Sequence, residues 1–247
     1  MSILLLSLVL SQRAEISAVW PALLFAAALV LVVAYVRRSK QVPEPIIRPA
    51  LFADPAFTIP NLIYVLANLA GFAILLLTPY YLANVLHLSA FMTGLVLALA
   101  FAGSLSGAPL SAFLVRRIGQ RPTAFAGTAL VGLGLLPLAV TGATTPVSWV
   151  GLLLIIEGVG QGLLSVAYTD MVTATLAQRD RGVAGSLALL TRTLGIVSGA
   201  SVLTALYAHG AADGFLAGYR FAFLAAGGGL LAALALSCLW PRAWFRR

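Results

Sequence analysis

Glu157 stands inside "GLLLIIEGVGQGLLSVAYTD" (151–170), a run with no other charged residue until Asp170. A carboxylate placed in hydrocarbon costs roughly 2.5–3.5 kcal/mol, so an intramembrane acid is functional by default. A buried carboxyl can exchange a proton, hold a cation, or answer a basic group elsewhere. Gln161, Ser165 and Tyr168 follow it at i+4, i+8 and i+11, which is one face of a 3.6-residue helix. Gly158, Gly160 and Gly162 fall largely on other faces. Gly158 and Gly162 form a small-xxx-small pair that permits close helix approach. The spacing therefore predicts a helix with a polar face toward a cavity and a glycine face toward a neighbour. At ~1.5 Å per residue, Glu157 lies ~15 Å from a helix start near Val147, close to mid-bilayer. Three readings of Glu157 are open. It is a proton or cation site facing the cavity, the partner of a base outside this chain, or an acid that snorkels or is held neutral by a neighbour.

Other polar residues fall in apolar runs. Asn61, Tyr64 and Asn68 at i, i+3 and i+7 form a second stripe, which either lines the cavity or bonds to neighbouring helices. Asp170 lies ten residues before Asp180 and Arg192 twelve after it. An antiparallel hairpin turning near Asp180 would bring both to similar depth, which predicts an intramembrane Asp170–Arg192 ion pair, a structural lock or a gate. "GSLSG" (103–107) puts Gly103 and Gly107 on one small face, expected to pack closely. No Ser/His/Asp set, His-Glu-x-x-His or phosphate loop is present, so no enzyme is expected. "GVGQG" (158–162) follows no strand and is not a nucleotide fingerprint. One cysteine, Cys238, and two histidines, His87 and His209, give no disulfide and no metal cluster. No cofactor is expected, and Cys238 is expected to pack in its apolar run.

The elements that position these residues follow from composition. Hydrophobic residues make up 61% of the 247 and charged residues 9%, against about 25% charged in soluble domains. The chain is thus an all-α integral membrane protein. Apolar runs near 19–36, 58–84, 90–114, 122–141, 147–176, 183–208 and 219–240 are each long enough to span, about seven in all. They are continuous and do not alternate as barrel strands do. The net charge of +8 does not point to nucleic acid. Arg37, Arg38, Lys40, Arg48, Arg116, Arg117, Arg121, Arg179, Arg181, Arg242, Arg246 and Arg247 fall in alternate loops and the C-terminal tail. The opposite side holds only Arg13 and Arg220. By the positive-inside rule the C-terminus is cytoplasmic, in a cell membrane.

Four stretches carry a resemblance to the C-terminal half of a major facilitator superfamily transporter, and within it to the fourteen-span drug:proton antiporters of the EmrB/QacA type. They are "PEPIIRPALFADPAF" (43–57), "LLLTPYYLANVLHLSAFMTGLVL" (75–97), "APLSAFLVRRIGQRP" (108–122) and "RDRGVAGSLALLTRTLGIVSGASVLTALY" (179–207). The third resembles the family's cytoplasmic loop motif, G-x-L-x-D-R-x-G-x-R-P. Leu114, Arg117, Gly119, Arg121 and Pro122 fit it. Ala112 replaces the glycine, and Arg116 stands where the gating aspartate should be. The motif is therefore expected to keep only its turn and its topogenic charge. The proline-glycine antiporter motif is absent, since "GAPL" (107–110) lies in the wrong span. "RTLG" (192–195) resembles the family's arginine at this point.

The resemblance implies half of a facilitator fold plus one preceding span. Residues 1–18 read as the remnant of an earlier span and an external loop, because "ILLLSLVL" (3–10) is too short to cross. Residues 19–36 read as a central linker span, 37–57 as a cytoplasmic loop and 58–247 as a six-helix bundle. It also implies proton-coupled efflux of small, cationic or amphipathic compounds. The expected partners are the lipid bilayer, a small-molecule substrate, protons, and a missing N-terminal half or partner chain. A facilitator for another solute, or a fragment without turnover, are the alternatives.

Overall fold

Asp54 starts the first helix by accepting a hydrogen bond from the Ala56 amide at 2.9 Å. Pro55 follows in the first turn, where a missing N–H removes no helical bond. The computed structural model describes residues 53–175 and 181–244, which lie within one unit, Phe52–Arg247. The expected remnant at 1–18, the span at 19–36 and most of the loop at 37–57 lie outside the described residues.

The helices are α1 (Pro55–Asn84), α2 (Ala90–Ile118), α3 (Gln120–Leu138), α4 (Val147–Thr175) and α5 (Arg181–Gly210). A last span is assembled from α6 (Phe215–Phe223), one wide turn at Leu224–Gly228 and α7 (Gly229–Ser237). Every regular element among the described residues is helical. Ser89 caps α2 through Met92 N at 3.3 Å. Gly119, at φ +93°, turns the chain directly from α2 into α3, a backbone angle that disfavours any side chain.

Five of these segments are long and apolar enough to cross a membrane: Pro55–Asn84, Ala90–Ile118, Val147–Thr175, Ala184–Asp213 and Phe215–Ser237. The helix at Gln120–Leu138, expected as a span at 122–141, is not among them. It is shorter and gives its first turn to Gln120, Arg121 and Pro122. Of the six spans expected over 58–240, five are thus long and apolar enough, and the expected span at 19–36 lies outside the described residues.

Several threonine hydroxyls inside the helices are satisfied locally, although those of Thr78 and Thr93 are buried without a partner. Thr123, Thr128, Thr169, Thr173 and Thr191 each donate to the carbonyl four residues earlier, at 2.7–2.9 Å. This is the cheapest way to keep a hydroxyl in hydrocarbon.

Helix α4 is the centre of the packing. It lies along α2 and along α3, whereas α5 lies chiefly on α1. Glycines set the two approaches to α4. A β-carbon at Gly103 would fall 2.5 Å from the Ile155 carbonyl oxygen, and one at Gly107 2.5 Å from that of Val159. Reciprocally, a β-carbon at Gly158 would collide with the Ala100 carbonyl, and one at Gly162 with that of Ser104. Gly160 points the other way, where its β-carbon would meet Val131 N on α3 at 2.6 Å. Backbones this close maximise dispersion contact, the main attraction available between helices in lipid. Cys238 is exposed rather than packed in the core.

Candidate functional site

Helices α1 and α4 run antiparallel and meet through their polar stripes, rung by rung. At the first rung the Tyr168 hydroxyl donates to Asn61 Oδ1 and also reaches Thr191 Oγ1 on α5 at 3.3 Å. At the second, Tyr64 stacks on Tyr168 with ring centroids 3.7 Å apart, and its hydroxyl lies 3.5 Å from Ser165 Oγ. At the third, Gln161 Nε2 donates to Asn68 Oδ1 at 3.4 Å. At the fourth, Gly71 faces Glu157: a β-carbon there would lie 3.1 Å from Glu157 Oε1.

The asparagines suit this role for a local reason. Asn61 Nδ2 donates to the Phe57 carbonyl at 2.7 Å, and Asn68 Nδ2 donates to that of Tyr64 at 2.8 Å. Each amide thereby spends a donor on its own helix and turns its oxygen toward α4. Sequence reasoning found both stripes but not that they are one structure. It also missed Gly71, which has no side chain to mark it. The signal was present, because 61, 64, 68 and 71 continue the same helical spacing.

Beyond the tyrosine rungs the ladder opens into a cavity of about 180 Å³. Asn68, Phe72, Phe101, Glu157, Gln161 and Arg192 are among its lining residues, drawn from α1, α2, α4 and α5. Glu157 is only 5% exposed. Its carboxyl has no hydrogen-bond or ion-pair partner among the described residues. Gln161 Oε1 is likewise buried without a partner. The polar face of α4 therefore divides. Glu157 and Gln161 line the cavity, while Ser165 and Tyr168 join Asn61, Tyr64 and Thr191 in a bonded layer next to it.

The expected Asp170–Arg192 ion pair is not formed. Both residues are exposed, and Arg192 lines the Glu157 cavity instead. The pair would require α4 and α5 to pack side by side along their length. In fact α5 leans on α1: a β-carbon at Gly195 would strike the Val65 carbonyl oxygen at 2.6 Å. That contact carries Arg192 away from the Asp170 end of α4.

The loop motif does more than turn the chain. Arg116 and Arg117 are exposed, with the Arg117 guanidinium 5.1 Å from the Phe113 ring centroid. Arg121 Nη1 donates to the Ala56 carbonyl at 2.7 Å and to the Ala243 carbonyl at 2.6 Å. It ties the start of α3 to the start of α1 and to the short turn Pro241–Ala243 after α7. The expectation of turn and charge alone is corrected by this pair of bonds. Pro122 follows within the first turn of α3.

Comparisons with known proteins agree with this architecture. The multidrug transporter protein MdtP of Bacillus subtilis (strain 168) is 25% identical over 183 residues, covering 74% of this chain and 34% of that protein. The tetracenomycin C resistance and export protein of Streptomyces glaucescens is 25% identical over 190 residues, 77% of this chain and 35% of its own length. The riboflavin transporter RibZ of Clostridioides difficile (strain 630) is 24% identical over 182 residues, 74% and 40% respectively. The chain thus spans well under half the length of these relatives. The sequence pattern of the Major Facilitator Superfamily matches residues 3–200 and, in a second alignment, 61–243. That match covers most of the chain, and the chain belongs to the Major Facilitator Superfamily.

Proposed function

We propose that this chain is the C-terminal part of a proton-coupled exporter of small molecules, in the manner of the drug:proton antiporters. The observation that carries the reading is Glu157: a buried, unpartnered carboxyl on the wall of a cavity. Such a group can be charged or neutral according to what occupies the cavity, which is the requirement for exchanging a proton against a ligand. The relatives named for multidrug transport and for tetracenomycin C export support the direction and the substrate class. The relative named for riboflavin favours the second reading, a facilitator for a different solute.

Alternating access in this family of folds works by rocking two repeats about a midplane site. This chain supplies one side of such a site, and a second bundle, on the same polypeptide or another, supplies the rest. The alternation of basic loops supports a cell-membrane location with the C-terminus on the cytoplasmic side.

The test is dye efflux in proteoliposomes holding the chain together with a complementary N-terminal bundle, with and without an imposed proton gradient. Gradient-driven efflux should fall at least about a hundredfold in Glu157→Gln, the scale on which loss of an obligatory proton-transfer group acts. Efflux that keeps its gradient dependence in Glu157→Gln would sink the carrier role. Absence of flux for every dye and vitamin tried would sink transport itself.

A further inference from the structure

The cavity is lined by an acid and a base that are not paired with each other. Glu157 and Arg192 both line it, and neither forms an ion pair or hydrogen bond with any described residue. Glu157 is buried, where ionising without a partner of the opposite sign is expensive, and Arg192 is exposed and free to meet a ligand. Gln161 adds a buried oxygen that lacks a donor. Glu157 and Gln161 thus form an acceptor pair one helical turn apart, and Arg192 on α5 supplies a cationic donor. Phe72 and Phe101 contribute flat apolar walls.

We propose that this cavity binds amphoteric small molecules. A protonated amine would meet Glu157 and Gln161 Oε1, an anionic or strongly accepting group would meet Arg192, and a planar apolar body would lie against Phe72 and Phe101. The proposal rests on the transport reading for its biological purpose and goes beyond it in assigning Arg192 to the ligand and in naming the ligand's charge pattern. Size limits the body. At about 180 Å³ the space is little larger than the ~150 Å³ cavity known to admit benzene. One ring bearing two short charged arms fills it. A singly charged compound of the same size leaves one of the two protein charges unanswered, and so binds more weakly.

The experiment is a titration of the purified chain in detergent micelles with three probes: para-aminomethylbenzoate, benzylamine and benzoate. The zwitterion should bind at least about tenfold tighter than either singly charged probe, the scale of one charge-assisted hydrogen bond. Glu157→Gln should lower the zwitterion to the affinity of benzoate, and Arg192→Gln should lower it to that of benzylamine. Arg192→Lys keeps the charge and should keep most of the preference, which separates recognition from a folding defect. Circular dichroism and melting verify each variant.

Equal affinity for zwitterion and benzylamine, or a preference untouched by Arg192→Gln, overturns the proposal. So does the absence of binding by all three probes to a chain with normal helicity and melting. Failure here is distinct from failure of transport. Selective binding in a protein that shows no flux leaves this assignment standing and removes the transport reading. Flux unchanged by Arg192→Gln does the reverse.

Discussion

At the scale of single residues, the site depends on where each polar atom sends its hydrogen bonds. Tyr168 is the most connected member, shared between Asn61 on α1 and Thr191 on α5 while its ring stacks on Tyr64. Replacing it by Phe keeps the stack and removes the donor. Asn61 Oδ1 is then left buried without a partner, because Asn61 spends its amide on Phe57. Tyr168→Phe should destabilise the chain by about 1 kcal/mol, the upper part of the range for such bonds between membrane helices. Asn61→Leu should cost a similar amount. The double variant should cost less than the sum, since neither orphan remains. Reversible unfolding in mixed micelles measures all three, and strict additivity would show that the rung carries no coupling.

At the scale of elements, glycine positions decide how closely helices lie, and not all glycines are equivalent. Gly158 sits where a β-carbon would overlap the Ala100 carbonyl, yet at Gly94 on α2 and Gly229 on α7 nothing lies within 4 Å. Gly158→Ala should therefore force α2 and α4 apart at about 1–3 kcal/mol, the usual cost of overpacking. Gly94→Ala and Gly229→Ala should be neutral or stabilising by up to about 1 kcal/mol through helix propensity alone. Thermal melts of the three variants give the comparison directly. A Gly158→Ala chain that melts like the parent would contradict the packing of α2 on α4. These effects belong to pairs of helices, so the variants need no ligand.

At the scale of the whole molecule, two features bind the sequence into one object. Arg121 joins three places far apart in the chain, through the carbonyls of Ala56 and Ala243. Arg121→Ala removes both bonds and should lower stability by about 2 kcal/mol, the scale for bonds to a charged donor. Hydrogen exchange should speed up locally at 54–58 and 243–244 before it does at the core of α4. Uniform acceleration everywhere would instead mark Arg121 as a general folding contact. The second feature is orientation across the bilayer. With Cys238 replaced by Ser, a cysteine at the exposed position Ala143 should react with an impermeant maleimide in intact cells, and one at exposed Ile118 only after permeabilisation. The reverse pattern would invert the topology proposed from the loops.

By itself the sequence determined that this chain is helical and built for lipid, and it marked most of the polar residues that matter. Both follow from periodicity, because side chains recur every 3.6 residues along one helix whatever its neighbours are. The helix starting at Val147 and the two polar stripes were legible for that reason. Relations between helices were not. The match of Asn61, Tyr64 and Asn68 to Tyr168, Ser165 and Gln161 depends on the register of α1 against α4, which no local spacing encodes. The length of the 122–141 run concealed that its helix begins on an arginine bonded to two carbonyls. Arg192 shows the limit most clearly. Chain counting puts it level with Asp170, but its surroundings are set by α5 packing on α1, where small side chains let the backbones meet. That packing left Asp170 without an ion-pair partner among the described residues and brought Arg192 to the cavity of Glu157, a placement only the tertiary structure could make.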